Sequence, residues 1–242
     1  MTNLTRMILS DPILGRVLRQ LTSRILHKAE VGAAKETIGT AYGSHTVLTG
    51  ALNADSIVYS FGIGEDASFD LGVIERYGCR VHAFDPTPKS VEWVRHHLTH
   101  PLFVFHPIGV AAHDGTADFV SPSKVTHVSF SRATDTTRRD RETVRLHVRS
   151  LRSIMRDLGH DRIDLLKMDI EGFEYEVIDA LLTTDVRPGQ IAVEFHHGMY
   201  GYSAEATNQA VDALRGAGYG LFHVSDTGRE YSFCRINAHT SR

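Results

Sequence analysis

The chain has 242 residues, of which 42% are hydrophobic and 23% are charged, and its formal net charge at pH 7 is −3. Such a chain is long enough for one large α/β domain, or for one domain with a short appendage. The near-neutral charge argues against a nucleic-acid partner, whose phosphates require a strongly basic face. The two cysteines, Cys79 and Cys234, argue against a disulfide framework or a zinc cluster and fit a cytoplasmic protein. The sequence shows neither an apolar run of about 20 residues nor a signal peptide, so we expect no transmembrane segment.

Residues 1–42 are predicted to be a helical appendage, and residues 43–242 are predicted to be the main domain. Within residues 1–30, apolar side chains recur at three- and four-residue steps, which is the pattern of an amphipathic helix. They are Leu14, Val17, Leu18, Leu21, Ile25 and Leu26. The apolar face is expected to pack on the domain or on a second copy in a homodimer. Its basic neighbours leave attachment to a membrane surface as an alternative.

From residue 43 onward, the pattern alternates between short apolar strands and helices. The predicted strands are 56–61, 80–84, 102–106, 143–148, 163–168, 190–195, 219–224 and 230–236. The predicted helices are 65–77, 88–98, 150–158, 173–182 and 204–217. This alternation predicts a Rossmann-like α/β fold, with a mostly parallel seven-stranded sheet and helices on both faces. The turn at Asp226, Thr227 and Gly228 predicts a closing antiparallel hairpin, which is common in class I methyltransferases and unusual in dehydrogenases.

A glycine-rich turn follows the first predicted strand of the domain and reads G-x-G-x-x-A from Gly62 and Gly64. Glycine lets a ligand approach the backbone, and a strand before and a helix after the turn are the context of a nucleotide-binding loop. The next predicted strand ends in Asp85, where a carboxylate can bind the two ribose hydroxyls of a nucleotide. Asp114 is a further candidate for a contact near the adenine. The alternatives are a helix-capping role for Asp85 and a simple turn at Asp114.

The charge beside this loop distinguishes two cofactors that use the same arrangement. The pyrophosphate of NAD prefers an uncharged helix N-terminus, because the helix dipole is positive there. Glu65 and Asp66 occupy that predicted first turn, and two carboxylates suit a sulfonium cation and an amino group. The sequence therefore favours S-adenosylmethionine, with Glu65 as a further cofactor contact. An NAD(P)-dependent oxidoreductase stays open as the alternative.

Acidic and imidazole side chains follow two other predicted strands at the same edge of the sheet. Crowded carboxylates raise one another's pKa unless a cation neutralises them, and oxygen ligands with some imidazole suit Mg²⁺ or Mn²⁺. We therefore predict a divalent metal site with the ligands Asp169, Glu171, Glu194 and His196. The alternatives are that Asp169 caps the next helix and that His196 or His197 is ordinary polar surface. Glu174 is interpreted as a solvent-exposed helix acid.

These motifs resemble the FkbM family of S-adenosylmethionine-dependent methyltransferases, over roughly residues 45–236. The resemblance rests on the glycine loop, Asp85, Asp-Ile-Glu-Gly-Phe-Glu at 169–174 and the Glu-Phe-His that begins at Glu194. The stretch 58–64 with Ser-Phe-Asp at 68–70 is also similar to methyltransferase-like proteins related to this family. The family's first motif has Asp-x-Gly-Ala-Asn where this chain has Ser60-Phe61-Gly62-Ile63-Gly64, so Glu65 is expected to replace a contact of that Asp.

The resemblance implies methyl transfer to oxygen on sugars or natural products. It also implies a divalent metal, because related macrolide-sugar O-methyltransferases use one near the strand ends that Asp169 and Glu194 occupy here. We expect a metal-assisted O-methyltransferase of a carbohydrate, in which Asp169 and either His196 or His197 act on the acceptor hydroxyl. The polar, irregular segment 109–141 is too long for a simple connection, and residues 125–141 are expected to cover the acceptor. A catalytically inactive scaffold is the non-enzymatic alternative.

Overall fold

The computed structural model of the chain describes residues 27–121, 131–132 and 142–236. Its strands are β1 (Lys35–Ile38), β2 (His45–Leu48), β3 (Ile57–Phe61), β4 (Arg80–Phe84), β5 (Phe103–His106), β6 (Gly109–Val110), β7 (Gly115–Val120), β8 (Ser131–Arg132), β9 (Thr143–Arg149), β10 (Leu165–Met168), β11 (Gln190–Glu194), β12 (Tyr219–Val224) and β13 (Glu230–Arg235). Its helices are α1 (Ser68–Tyr77), α2 (Pro88–His97), α3 (Leu151–Leu158), α4 (Glu174–Leu182) and α5 (Ala204–Gly216).

Seven of these strands form the central sheet, in the order β12-β13-β11-β10-β3-β4-β5. The strands run parallel except for β13, which is antiparallel to both of its neighbours. Buried side chains of α3, α4 and α5 pack on one face of the sheet, and those of α1 and the β1–β2 hairpin pack on the other. The predicted Rossmann-like fold with its closing hairpin is therefore confirmed.

The register of the sheet aligns the ends of four parallel strands. Phe61 at the end of β3 lies opposite Phe84 in β4 and Met168 in β10, and Met168 lies opposite Val193 in β11. Because the carboxyl ends of parallel strands meet at one edge, the residues that follow them converge there. Gly62, Asp85 and Asp169 follow their strands at this edge, and Glu194 is the last residue of β11.

A second, four-stranded sheet of order β6-β9-β7-β8 corrects the prediction that segment 109–141 is irregular. Gly115–Val120 pairs in antiparallel register with β9, from Gly115 opposite Val148 to Val120 opposite Thr143. Phe119 and Val148 from this sheet bury their side chains against Phe173. The pairing is long-range, which is why the local composition of the segment did not reveal a strand. Residues 122–130 and 133–141 lie outside the described part of the chain.

The β1–β2 hairpin corrects the prediction of a helical appendage up to residue 42. Lys35–Ile38 is a strand that pairs with His45–Leu48, so the predicted boundary falls inside the hairpin. The Leu48 N–H donates to Gln190 Oε1 at 2.8 Å, and Ser232 Oγ donates to the Thr46 carbonyl at 2.7 Å, which fixes the hairpin to the sheet. The apolar residues of the stripe predicted within residues 1–30 lie outside the described residues. The homodimer prediction depends on this stripe and stays a prediction. No helix of the described ranges is long and apolar enough to cross a membrane.

Candidate functional site

A cavity of about 440 Å³ lies at the edge where β3, β4 and β10 end, and its size is within the range of small-molecule sites. Aromatic and aliphatic side chains form much of its wall. Its lining carboxylates are Glu65, Asp66, Asp85, Asp169 and Glu171. Among the described residues that line the cavity, none is Lys, Arg or His. The cavity is therefore strongly electronegative and suits a cationic ligand.

The glycine loop forms one wall of this cavity, as predicted from its pattern. Gly62 and Gly64 have positive φ angles of 83° and 57°, which side chains other than glycine rarely adopt. A Cβ on Gly62 would lie 1.7 Å from the carbonyl oxygen of Asp169, so the loop packs directly on the chain that leaves β10. The helix after the loop begins at Ser68, later than predicted, and Glu65 and Asp66 precede it. Glu65 is exposed and both acids line the cavity.

Asp85 holds the glycine loop in place. Its Oδ2 accepts hydrogen bonds from the N–H groups of Ile63 and Gly64, both at 3.0 Å. Its Oδ1 accepts from the N–H and the hydroxyl of Thr87, at 2.9 and 2.7 Å. The sequence analysis assigned this carboxylate to ribose hydroxyls. In the structure, its two oxygens accept these four hydrogen bonds from the chain itself. Asp85 lines the cavity, but the structure gives it a positioning role towards the loop and the start of α2.

Lys167, which the sequence analysis did not single out, supports the loop from the other side. Its side chain is buried in β10, and Nζ donates to the carbonyl oxygens of Gly62 at 2.5 Å and Phe61 at 3.3 Å. A buried ammonium is costly unless it is paired and hydrogen-bonded. Here it offsets the negative charge of the cavity, since it lowers the pKa of both Asp169 and Asp66 against the effect of desolvation.

Asp114 is not brought to the cavity, which corrects its assignment as a cofactor contact. Its carboxylate accepts from the N–H of Ser150 at 2.8 Å and from the hydroxyl of Ser153 at 2.7 Å, at the start of α3. The Ser150 hydrogen bond is the largest cause of a pKa lowered to about 2. Negative charge at a helix N-terminus also interacts favourably with the helix dipole. Asp114 therefore has a capping role.

His196 lies at the centre of the acidic cluster, as predicted. Its Nε2 is 3.2 Å from Glu171 Oε2, 3.7 Å from Asp169 Oδ1 and 3.9 Å from Glu194 Oε1. Its Nδ1 is 2.9 Å from Glu174 Oε1. The imidazole is 2% exposed, so it is a buried centre around which four carboxylates are arranged.

Glu174 corrects the interpretation of this residue as a solvent-exposed helix acid, because its exposed fraction is 0%. It accepts hydrogen bonds from the backbone N–H of His196 at 3.0 Å and from the backbone N–H of Gly172 at 2.9 Å. Together with the contact to His196 Nδ1, these bonds use both carboxylate oxygens. Glu174 starts α4 on the face that meets the sheet, so its charge orients the imidazole.

Glu171 is held in an unusual backbone conformation. Its φ is 51°, which is uncommon for residues other than glycine and clusters at functional sites. The Arg132 N–H donates to its carbonyl oxygen at 3.0 Å, and the Tyr200 hydroxyl donates to its Oε2. Tyr200 also has a positive φ, of 52°. The two strained residues therefore meet at the cluster, and Tyr200 is a site residue that the sequence analysis missed.

His197 is not brought to this cluster, which corrects its assignment as a candidate base. It is buried, and its Nδ1 lies 3.2 Å from the Thr207 hydroxyl in α5. His197 lies in the turn that follows β11, and its contact with Thr207 directs the ring towards α5. Of the predicted lid, only Ser131 and Arg132 are described. Arg132 donates to the Tyr202 hydroxyl at 2.7 Å and pairs with Glu176 at 2.5 Å.

The cluster shifts the pKa values of its members. Burial alone would lower the pKa of His196, but the charges of Glu174 and Glu171 raise it well above its ordinary value. Desolvation raises the pKa of Glu194 to about 8, and the charge of Asp169 adds to this effect. Desolvation also raises the pKa of Asp169, against the effects of Lys167 and His196. Burial, with the charges of neighbouring acids adding to it, therefore raises the pKa of two carboxylates of the cluster.

A divalent metal ion fits three of the four predicted ligands. Asp169, Glu171 and His196 each offer a ligand atom, and these atoms all lie within 4.8 Å of one another. Glu194 is at the margin of this group, 3.9 Å from His196 Nε2. The contact of Glu174 with the other imidazole nitrogen is the arrangement that commonly orients a metal-binding histidine. The donor set of carboxylates and one imidazole suits Mg²⁺ or Mn²⁺.

The solved structures similar to this chain include one from Methylobacillus flagellatus KT and one from Aeropyrum pernix. Methyltransferase FkbM from Methylobacillus flagellatus KT matches with a TM-score of 0.45 and 15% identity, over 76% of this chain and 44% of that protein. Aeropyrum pernix fibrillarin, solved in complex with natively bound S-adenosyl-L-methionine, matches with a TM-score of 0.40 and 11% identity, over 88% of this chain and 85% of that protein.

Sequence relatives include probable methyltransferase-like protein 24 from Homo sapiens and from Rattus norvegicus. Each is 28% identical to this chain, over 162 and 157 residues respectively. The matches cover 66% and 64% of this chain but only 37% and 36% of the relatives, so the chain spans little more than a third of their length. A family profile described as the methyltransferase FkbM domain matches residues 41–221, which confirms the resemblance inferred from the motifs. This chain belongs to the methyltransferase FkbM domain family.

Proposed function

We propose that the cavity binds S-adenosylmethionine, and the charge of its lining is the observation that carries the proposal. Five carboxylates line the cavity, and none of its described lining residues is Lys, Arg or His. A sulfonium and an α-ammonium group are attracted by such a lining, whereas the pyrophosphate of NAD(P) is repelled. Two unit charges 4 Å apart interact by about 4 kcal/mol near a protein surface, which is large enough to decide between the two cofactors.

The reaction that we propose is methyl transfer to an acceptor hydroxyl. The acceptor oxygen attacks the methyl carbon, the carbon–sulfur bond breaks, and the sulfur leaves with the electron pair as a neutral thioether. The hydroxyl proton passes to a base. The chain holds the acceptor oxygen, the methyl carbon and the sulfur in line, and positioning of this kind lowers the activation barrier by about 7–11 kcal/mol. Gly62 and Gly64, held by Asp85 and Lys167, define where the cofactor lies.

Asp169 is the proposed base, because it lines the cavity and its pKa is raised by desolvation. A raised pKa makes a carboxylate a stronger base. His196 is less suited to that role, since both of its ring nitrogens face carboxylates. A divalent ion held by Asp169, Glu171 and His196 would supply Lewis acidity that lowers the pKa of the acceptor hydroxyl.

For the acceptor we propose a carbohydrate or a glycosylated metabolite. Carboxylates at the strand ends can accept hydrogen bonds from several hydroxyls at once, which suits a polyol. The net charge of −3 gives no support to a nucleic-acid acceptor. The family resemblance also points to oxygen on sugars or natural products.

The first test compares cofactor binding by calorimetry. We expect the purified chain to bind S-adenosylmethionine and to show no measurable heat with NADH or NADPH, because of the electronegative lining. Radiolabelled S-adenosylmethionine with a panel of mono- and oligosaccharides then tests transfer, and NMR gives the linkage of the product. Binding of NADH without binding of S-adenosylmethionine would overturn the cofactor. Label on nitrogen would overturn the acceptor class, and cofactor binding without any turnover would favour an inactive scaffold.

The second test concerns the metal. We expect exhaustive chelation to abolish methyl transfer and added Mg²⁺ or Mn²⁺ to restore it, because three ligand atoms converge at Asp169, Glu171 and His196. Titration of Mn²⁺ followed by electron paramagnetic resonance measures binding without turnover. Asp169→Asn should weaken Mn²⁺ binding, while Asp226→Asn, in the exposed turn of the closing hairpin, should not. Full activity after chelation, with no bound Mn²⁺, would remove the metal from the proposal.

A further inference from the structure

The loop that joins β1 and β2, residues 39–44, forms a wall of the cofactor cavity. Thr40 and Tyr42 both line the cavity, next to the glycine loop and its two acids. We propose that this wall binds the amino-acid end of the cofactor, with Tyr42 against its α-ammonium group and Asp66 as the counter-charge. The proposal rests on the function proposed above and extends the site beyond the strand ends.

Hydrogen bonds fix this loop to the start of α1. The Thr40 N–H donates to Ser68 Oγ at 2.9 Å, and the Thr40 hydroxyl donates to Asp66 Oδ2 at 2.6 Å. The N–H groups of Tyr42 and Gly43 donate to the Thr40 hydroxyl oxygen, at 3.3 and 3.2 Å. A single side chain therefore ties the turn to itself and to the acid beside the glycine loop.

The turn also lies directly on the carboxylate of Asp66. A Cβ on Gly43 would be 3.0 Å from Asp66 Oδ2, so only a residue without a side chain fits there comfortably. Gly39 has a φ of 108°, and a Cβ on it would be 2.9 Å from the Gly43 carbonyl oxygen. The two glycines close the turn tightly. Its position relative to Asp66 is consequently set by this close packing together with the hydrogen bond from the Thr40 hydroxyl.

Tyr42 is placed at the mouth of the cavity with most of its surface open. Its side chain is 83% exposed, and the other large hydrophobic residue that is exposed in the described part of the chain is Ile236, at 51%. Tyr42 lines the cavity and Ile236 does not. A bound ligand would cover part of the ring and remove apolar surface from water, which favours binding.

The chemistry of this wall suits an ammonium group. Desolvation raises the pKa of Asp66, but hydrogen bonds from Thr40 and Ser68 outweigh it and lower the pKa, so the acid is ionised at neutral pH. Glu65 lies beside it in the chain and also lines the cavity. An aromatic ring and carboxylates together attract an organic cation, and the ring contribution is about 0.5–1 kcal/mol at an exposed site. The α-ammonium of the methionine moiety is the cationic group of the cofactor that lies away from the reacting methyl.

The experiment uses two neutral thioethers, S-adenosylhomocysteine and 5′-methylthioadenosine, which share the adenosine and differ by the amino-acid end. Calorimetry with the full chain gives both dissociation constants. We expect Tyr42→Ala to weaken S-adenosylhomocysteine about fivefold, which corresponds to about 1 kcal/mol, and to change 5′-methylthioadenosine less than about twofold. Tyr42→Phe should retain wild-type affinity for both ligands. Ile236→Ala is the matched control and should also leave both unchanged.

Equal weakening of both ligands by Tyr42→Ala would overturn the assignment to the amino-acid end. Unchanged binding of S-adenosylhomocysteine would show that the loop is not part of the site, and the proposed function would stand. Failure of the wild-type chain to bind either thioether would instead overturn the proposed cofactor, and the role of the loop with it. Circular dichroism of each variant verifies that the fold is retained, as the exposure of Tyr42 leads us to expect.

Discussion

Glu174→Gln is expected to lower the free energy of unfolding by about 3–5 kcal/mol and to slow methyl transfer by about 10- to 100-fold. The carboxylate has no solvent exposure and accepts hydrogen bonds from two backbone N–H groups and from His196 Nδ1. Glutamine keeps the shape but removes the charge, so the buried imidazole loses the counter-ion that orients it. The side-chain amide nitrogen of glutamine also places N–H donors where the surrounding N–H groups require an acceptor.

Urea unfolding measures the stability change, and turnover per folded molecule measures the catalytic one. Asp179→Asn is the matched control, because Asp179 lies on the same helix, α4, but faces solvent. Its expected effect on stability is within about 0.5 kcal/mol. A loss of stability in Glu174→Gln with unchanged turnover of the folded fraction would limit Glu174 to a structural role. Wild-type values for both would contradict the orientation of His196 described above.

The acidic edge of the sheet was predictable because the signals are local. The central strands β3, β4, β10 and β11 are short apolar runs that end at a glycine or an acid, and parallel strands bring their carboxyl ends together. Gly62, Asp169 and Glu171 follow this rule, and all three line the cavity. His196 also lies where the sequence placed it, within reach of the acids. These site residues could be predicted because apolar patterning shows where each strand ends.

The partners of these residues were not predictable in the same way, since they depend on which surfaces meet. Glu174 has the spacing of a solvated helix acid, and only the packing of α4 on the sheet shows that it is buried. Lys167 did carry a signal, because a lysine in the middle of an apolar strand must find buried acceptors. Tyr42 carried none, as its position depends on the pairing of β1 with β2. Asp85 lies at the predicted place, but its hydrogen bonds to the glycine loop depend on how β3 and β4 meet and were not predicted.

Gly62→Ala is expected to weaken S-adenosylmethionine binding by about 100-fold or more and to lower the free energy of unfolding by about 2–5 kcal/mol. Two costs combine at this position. The φ of 83° disfavours any side chain, and the added Cβ would lie 1.7 Å from the carbonyl oxygen of Asp169. That oxygen belongs to backbone, so it cannot rotate away as a flexible side chain could. The loop and the end of β10 must separate, which displaces Gly64 and Asp169 from the cavity wall.

Gly218→Ala separates the two costs. Gly218 has a similar φ of 88°, but a Cβ there would meet nothing within 4 Å. Its substitution should cost only the about 1–2 kcal/mol of the left-handed conformation and leave cofactor affinity unchanged. Calorimetry and urea unfolding of both variants give the comparison. If Gly62→Ala were no worse than Gly218→Ala in either measurement, the contact between the glycine loop and Asp169 would not determine the shape of the cofactor site. If Gly62→Ala lost affinity but not stability, the loop would move without disturbing β10, and its hydrogen bonds to Asp85 and Lys167 would be the weaker constraint.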